Sequence, residues 1–111
     1  MDEEKSYWVG FSVFPGIGPV RFKLLRDYFG SAKAAWEAPT GEFRNIKLGE
    51  KLTEQFDHFR KTFNIEAYLK QLQDLHVSVL ILNDPKYPKL LKEILDPPLL
   101  LYIRGRKTDQ P

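Results

Sequence analysis

The sequence predicts a mainly α protein: a helical domain over residues 1–75, a short strand–helix–strand (βαβ) segment over 76–105, and a frayed polar tail over 106–111. Three observations carry that reading. Up to about residue 75 apolar side chains recur every three or four positions, the period of a helix with one buried face. Beyond it lie two apolar runs of strand length, Val77–Leu82 and Leu99–Ile103, the first rich in β-branched residues. Glycines and prolines stand where one element has to give way to the next.

Taken in order, Tyr7, Trp8, Phe11 and Phe14 mark a first helix that Pro15-Gly16 ends. Val20, Leu24, Leu25 and Tyr28 recur at helical spacing in a second, which stops at Gly30-Ser31. After the breaks at Pro39-Thr40-Gly41 and Gly49, the series Leu48, Leu52, Phe56, Phe59 and Phe63 lines one face of a long helix. Ile65, Tyr68, Leu69, Leu72 and Leu75 make a further stripe. Asn64 between the two either caps the second helix or lies inside one longer, bent helix.

The strand-like run at Val77 ends in Asn83-Asp84-Pro85. Pro88 then opens a short helix with Leu90, Leu91, Ile94 and Leu95 on its buried side and Tyr87 packed beneath it, stopped by Asp96-Pro97-Pro98. A crossover of about sixteen residues is long enough for a right-handed parallel unit. The run Leu99–Ile103 has no polar face, as in a parallel strand covered on both sides. One short helix cannot cover both. The strand is therefore expected to belong to a larger sheet, completed by chain beyond Pro111 or by another molecule, including self-association through Leu99–Ile103.

Composition bounds the function. Hydrophobic residues at 42% and charged ones at 29% describe a folded chain, and eight Phe, five Tyr and two Trp require a ring-rich core, with Trp8 and Trp36 as anchors. The absence of cysteine excludes disulfides, Cys-based zinc and a thiol nucleophile. No apolar run approaches the roughly 20 residues of a membrane span, and the acidic start lacks the order of a signal peptide. Lys and Arg total 17 against 15 Asp and Glu, too even to mark a nucleic-acid binder by charge alone. The surplus lies in residues 76–111, where six basic groups meet four acidic ones.

One stretch carries chemistry: Val13-Phe14-Pro15-Gly16-Ile17-Gly18-Pro19-Val20-Arg21-Phe22-Lys23-Leu24-Leu25. An apolar helix enters, the Pro-Gly-Ile-Gly turn reverses the chain, and an amphipathic helix leaves. Gly16 and Gly18 are expected to supply positive φ and to allow close backbone approach. Ile17 points inward, and Pro19 suits an early helical position. The outcome is a helix N-terminus with free amides facing outward, able to hold a DNA phosphate, with Arg21 and Lys23 adding charge; Gly16, Ile17, Gly18, Val20, Arg21 and Lys23 are the candidate DNA-binding residues. This resembles the helix-hairpin-helix motif of sequence-independent DNA-binding proteins. Alternatively the hairpin only packs helices together. A degenerate second hairpin at Ile46–Leu52 keeps one glycine and has Glu50 where a phosphate would be repelled, so it reads as structural.

The whole resembles the N-terminal part of the DNA-processing protein A (DprA, Smf) family. The resemblance rests on Trp8, Pro15-Gly16-Ile17-Gly18, Phe29-Gly30-Ser31, Asp84-Pro85-Lys86-Tyr87-Pro88-Lys89-Leu90-Leu91 and Asp96-Pro97-Pro98-Leu99-Leu100-Leu101-Tyr102-Ile103-Arg104-Gly105. It implies a cytoplasmic bacterial protein that binds single-stranded DNA and loads the RecA recombinase in natural transformation. It also implies a sterile-alpha-motif-like (SAM-like), helix-hairpin-helix domain over 1–75 ahead of a Rossmann-like domain that the 76–105 segment begins. The family's glycine-rich loop with a Ser-Arg pair would follow Gly105, so no residue here inherits its role.

No catalytic, metal or cofactor site is expected. His58 and His76 have no second ligand or nucleophile spaced to pair with them. The carboxylates form no two-metal cluster, and Asp84 and Asp96, each before proline, read as turn and cap residues.

Overall fold

The computed structural model describes residues 2–95 and 97–105; the expected frayed tail at 106–111 and the Asp96 cap lie outside them. Helices α1 (Glu3–Val13), α2 (Pro19–Phe29) and α3 (Ala32–Glu37) lead through a 3-10 turn (Thr40–Ile46) into α4 (Glu50–Thr62) and α5 (Ile65–Asp74). Strand β1 (Val77–Ile81), the single turn α6 (Lys89–Lys92) and strand β2 (Leu100–Arg104) follow. The chain is mainly helical with a small sheet, as its periodicity predicts.

Local chemistry sets the helix ends. Asp2 caps α1 by accepting the Lys5 N–H at 2.8 Å. Ser31 does the same for α3 through the Ala34 N–H at 3.0 Å. Asn64 caps α5 through the Ala67 N–H at 3.0 Å, so the two stripes around it belong to two helices. Gly30 closes α2 at φ 96°, a left-handed conformation that costs glycine nothing.

The core is built of rings. Phe11 stacks on Phe56 at 5.1 Å, and Trp36 meets both edge-on at 5.2 and 5.4 Å. Trp8 and Phe11 approach Phe22 at 4.8 and 5.2 Å, and Phe43 joins through Phe56 at 5.7 Å. Each such pair adds about 0.5–1.5 kcal/mol beyond the area it buries. Arg60 lies over the rings of Phe43 and Phe56 and donates to the carbonyls of Trp36 and Ala38 at 2.8 and 2.6 Å. Asp57 accepts from the same guanidinium at 2.7 Å, so α4 is fastened to the end of α3. The cluster continues into the sheet through Val79, Ile81 and Leu100.

Three expectations need correction. First, β1 and β2 pair antiparallel, with Val77 opposite Arg104 and Ile81 opposite Leu100. The linker is long enough for a crossover, but its one-turn helix advances only about 6 Å, while a five-residue strand runs about 17 Å. The chain reverses at the Asn83–Pro85 turn and never travels back along the strand.

Second, the short helix has no buried residue: Leu90, Ile94 and Leu95 are exposed and Leu91 is half-buried. Tyr87 is nevertheless buried, its hydroxyl donating to the Pro98 carbonyl at 2.8 Å.

Third, the Val20, Leu24 and Tyr28 side of α2 faces solvent, while Phe22 and Leu25 go inward. Leu75 is exposed as well.

The sheet lays Val79, Ile81 and Leu100 against α1 and α5. Paired residues share a face, so Ser78, Leu80, Leu101 and Ile103 form the other. That second face is as apolar as the sequence indicates, yet Ile103 is exposed. Tyr102, on the packed face, links the layers: its hydroxyl lies 3.4 Å from that of Ser12 on α1 and 3.3 Å from that of Tyr68 on α5.

Candidate functional site

The hairpin joins α1 to α2 through Phe14–Gly18. Ile17 is buried and pins the turn to the core, as its place between two glycines predicts. The glycines act differently from expectation. Among the described residues the glycines with positive φ are Gly30 and Gly49, not Gly16 or Gly18. Gly16 is required for space: a Cβ there would run into Leu52 Cδ1 and come within 2.9 Å of the Phe14 ring. The close approach comes from side chains rather than from another backbone.

Gly18 has φ −91° and ψ −169° and serves as the N-cap of α2, with no side chain capping the helix. A Cβ at Gly18 would meet nothing within 4 Å, so the ground in front of the helix is open. Pro19 occupies the first turn, and the Gly18 carbonyl accepts the Phe22 N–H at 2.9 Å, the first closed turn. The amides of Val20 and Arg21 precede that bond, and α2 carries no acidic residue in its first turn. A helix end of this kind attracts an anion.

The cations expected beside it divide. Arg21 is exposed, and its Nη1 reaches back to the Gly16 carbonyl at 3.5 Å, which holds the guanidinium over the turn. Lys23 is exposed but donates to Asp27 at 2.8 Å, an i,i+4 pair that partly neutralises it. The structure thus gathers Gly16, Ile17, Gly18, Val20, Arg21 and Lys23 around one turn, with Arg21 the cation nearest in sequence to the free amides.

At the second hairpin, Lys47 adopts a left-handed conformation at φ 54°, Gly49 caps α4 at φ 95°, and Glu50 begins the helix. Arg44 and Lys47 share the adjoining cleft with Glu50 and Glu54, so its charge is balanced. His58 and His76 are exposed. Among the described residues no three His, Asp or Glu side chains are placed to hold a metal ion. No helix of the described residues is long and apolar enough to cross a membrane.

Sequence reasoning missed one neighbour of the hairpin: Arg26, whose guanidinium carbon lies 4.5 Å from the Trp8 ring centroid. Its position one turn after Phe22 was the available signal. It also missed Glu4, whose carboxylate accepts the Ala32 and Lys33 N–H groups at 2.7 and 3.1 Å and the Trp8 indole N–H at 3.2 Å.

Fold and site together define a helical hairpin module with an uncapped, unobstructed helix start and an appended two-stranded sheet. Over 95% of its length the chain is 36% identical to Protein Smf of Synechocystis sp.. It belongs to the Smf, or DNA-processing protein A, family. The chain spans 27% of that relative's length. No family model matches the chain, and no solved structure matches it.

Proposed function

We propose that this chain is an accessory, non-enzymatic module of a DNA-processing protein, and that its hairpin contacts DNA phosphate without regard to sequence. The phosphate meets the Val20 and Arg21 amides in front of Gly18, with Arg21 as the principal cation and Lys23 as a lesser one because of Asp27. The observation that carries the reading is the open space before an uncapped α2 N-terminus, in a chain 36% identical to an Smf protein. The same family resemblance supports a cytoplasmic protein acting on single-stranded DNA in natural transformation, with RecA loading and the remainder of a Rossmann-like domain supplied outside residues 1–105. It also supports reading 1–75 as the helical domain and 76–105 as the start of the next.

Titration with labelled single- and double-stranded DNA at low and moderate salt tests the proposal. Binding should weaken as salt rises, with the slope of a few phosphates, and Arg21→Glu with Lys23→Glu should abolish it. No binding at low salt, or an unaffected double variant, removes the reading for this chain.

A second reading is favoured by the contact of Gly16 with Leu52 and Phe14. In it the hairpin only fixes α1 and α2 on α4, and the module positions or recruits a protein. That reading expects no DNA binding at any salt.

A further inference from the structure

The connection between β1 and β2 is tied down at its base and bare at its tip. At the base, the Asp84 carboxylate takes the Ile81 N–H at 2.8 Å, and the Asp84 carbonyl takes the Tyr87 N–H at 3.1 Å. The Tyr87 hydroxyl donates across the connection to the Pro98 carbonyl at 2.8 Å. Pro85 and Pro88 stiffen the backbone between these ties. Over residues 83–95 Tyr87 is the one buried side chain, so the inward position is taken. The tip therefore turns its aliphatic groups outward: Leu90 is 81%, Ile94 50% and Leu95 91% exposed. Apolar side chains grouped this densely in water mark a contact surface.

Charge selects what that surface meets. Lys86, Lys89 and Lys92 are exposed, and over residues 85–95 they stand against one carboxylate, Glu93. The partner is thus anionic as well as apolar. A strand of bases would be met by exposed rings, and the only ring of the segment, Tyr87, is buried. Lysine is a point charge on a flexible stem, suited to a diffuse layer of anionic groups, and it lacks the fork with which arginine grips one phosphate or carboxylate. Leucines among lysines match the face of a membrane, where apolar tips enter the boundary of headgroups and acyl chains and ammonium groups stay at headgroup level. We propose that segment 85–95 docks this chain on the surface of an anionic lipid bilayer. Leu90, Ile94 and Leu95 insert, and Lys86, Lys89 and Lys92 lie against headgroup phosphates. The chain rests on the bilayer without crossing it, and a single segment of this size gives weak, reversible attachment.

Co-sedimentation of the whole chain with lipid vesicles, without DNA, tests this. Vesicles of equal parts phosphatidylglycerol and phosphatidylcholine should retain the chain, phosphatidylcholine alone should not, and added salt should release it. Leu90→Asp with Leu95→Asp should weaken retention about tenfold or more. Lys89→Gln with Lys92→Gln should weaken it roughly twentyfold, about fivefold for each charge. All four positions are exposed, so the fold does not depend on them, as circular dichroism would verify. Arg21→Glu with Lys23→Glu should leave retention within a few-fold of the parent, because the hairpin takes no part. Failure of anionic vesicles to retain the chain overturns the proposal and leaves the leucines to a protein partner. Retention of the leucine variant as strong as the parent's also overturns it, since binding would then be a matter of charge alone. So does a lysine variant that keeps vesicle retention while losing DNA binding, which would assign those lysines to nucleic acid.

Discussion

Lys5 Nζ on α1 lies 2.9 Å from Asp84 Oδ2, at the turn that ends β1. The same ammonium donates to the Val79 carbonyl at 3.1 Å, and the same carboxylate oxygen accepts the Ile81 N–H at 2.8 Å. The first helix is thereby bonded to the strand that arrives after five helical segments. Both side chains are mostly shielded, 19% and 22% exposed, so the pair is less screened than a surface one. Lys5→Met keeps the stem and removes the charge; it should cost about 1–2 kcal/mol, read by urea denaturation. A loss near zero would make the pair incidental.

Glu4 holds two elements with one carboxylate. It takes the first amides of α3, Ala32 and Lys33, and the indole N–H of Trp8. Glu4→Ala leaves those donors without their partner and should destabilise by about 1–3 kcal/mol. Tryptophan emission should shift to the red as Trp8 gains water. Glu4→Gln should lie between the parent and Ala, because one oxygen acceptor survives.

The two glycines of the hairpin should respond differently to the same change. Gly16→Ala pushes Leu52 and the Phe14 ring aside and should cost about 1–3 kcal/mol by overpacking. Gly18→Ala meets nothing and has a φ of −91° that alanine accepts, so thermal stability should stay within about 0.5 kcal/mol. Gly18→Asp offers the sharper test. It adds a side-chain cap, which should raise stability by a few tenths of a kcal/mol, while placing a carboxylate where the proposed phosphate would sit. Intact stability with lost DNA binding would separate recognition from folding.

Asp57 should give a measurable acid signature. Hydrogen bonds from Lys61 and Arg60 hold its carboxyl down to about 2, against an ordinary 3.8. Because the folded value is the lower one, the interaction is fully present above pH 3.8. It is lost as pH falls from there through about 2. Asp57→Asn should therefore show less loss of stability across that window than the parent. Carbon-detected NMR titration of the Asp57 carboxyl should find a midpoint near 2, and a midpoint at the ordinary value would contradict the geometry.

Helix positions were legible wherever an apolar stripe had polar flanks. The spacing of Leu52, Phe56 and Phe59 defines the inner face of α4 because polar and charged residues fill the rest of that helix. On α2 two stripes overlap, Val20-Leu24-Tyr28 and Phe22-Leu25-Phe29, and period alone does not say which goes inward. The α1 rings decided it, since Trp8 and Phe11 receive Phe22. Strand positions were likewise plain, but their relative direction was not, because it depends on the path of residues 82–99 and not on the strands' composition. At the site, Pro19 and the inward Ile17 were legible as local features. The Lys23–Asp27 pair also lay in reach of an i,i+4 argument. The contact of Gly16 with Leu52 and the capping of α3 by Glu4 join residues far apart in the chain, and no local pattern announces them.

Arg60 shows where such distance leads. Its guanidinium satisfies the Trp36 and Ala38 carbonyls, pairs with Asp57 and lies over two rings, a geometry that a lysine ammonium cannot reproduce. Natural selection is therefore expected to hold arginine at this position with the stringency usually given to catalytic or ligand-binding residues. An invariant Arg60 in an alignment of relatives would record the requirement to fold, and should not be taken as the imprint of nucleic acid.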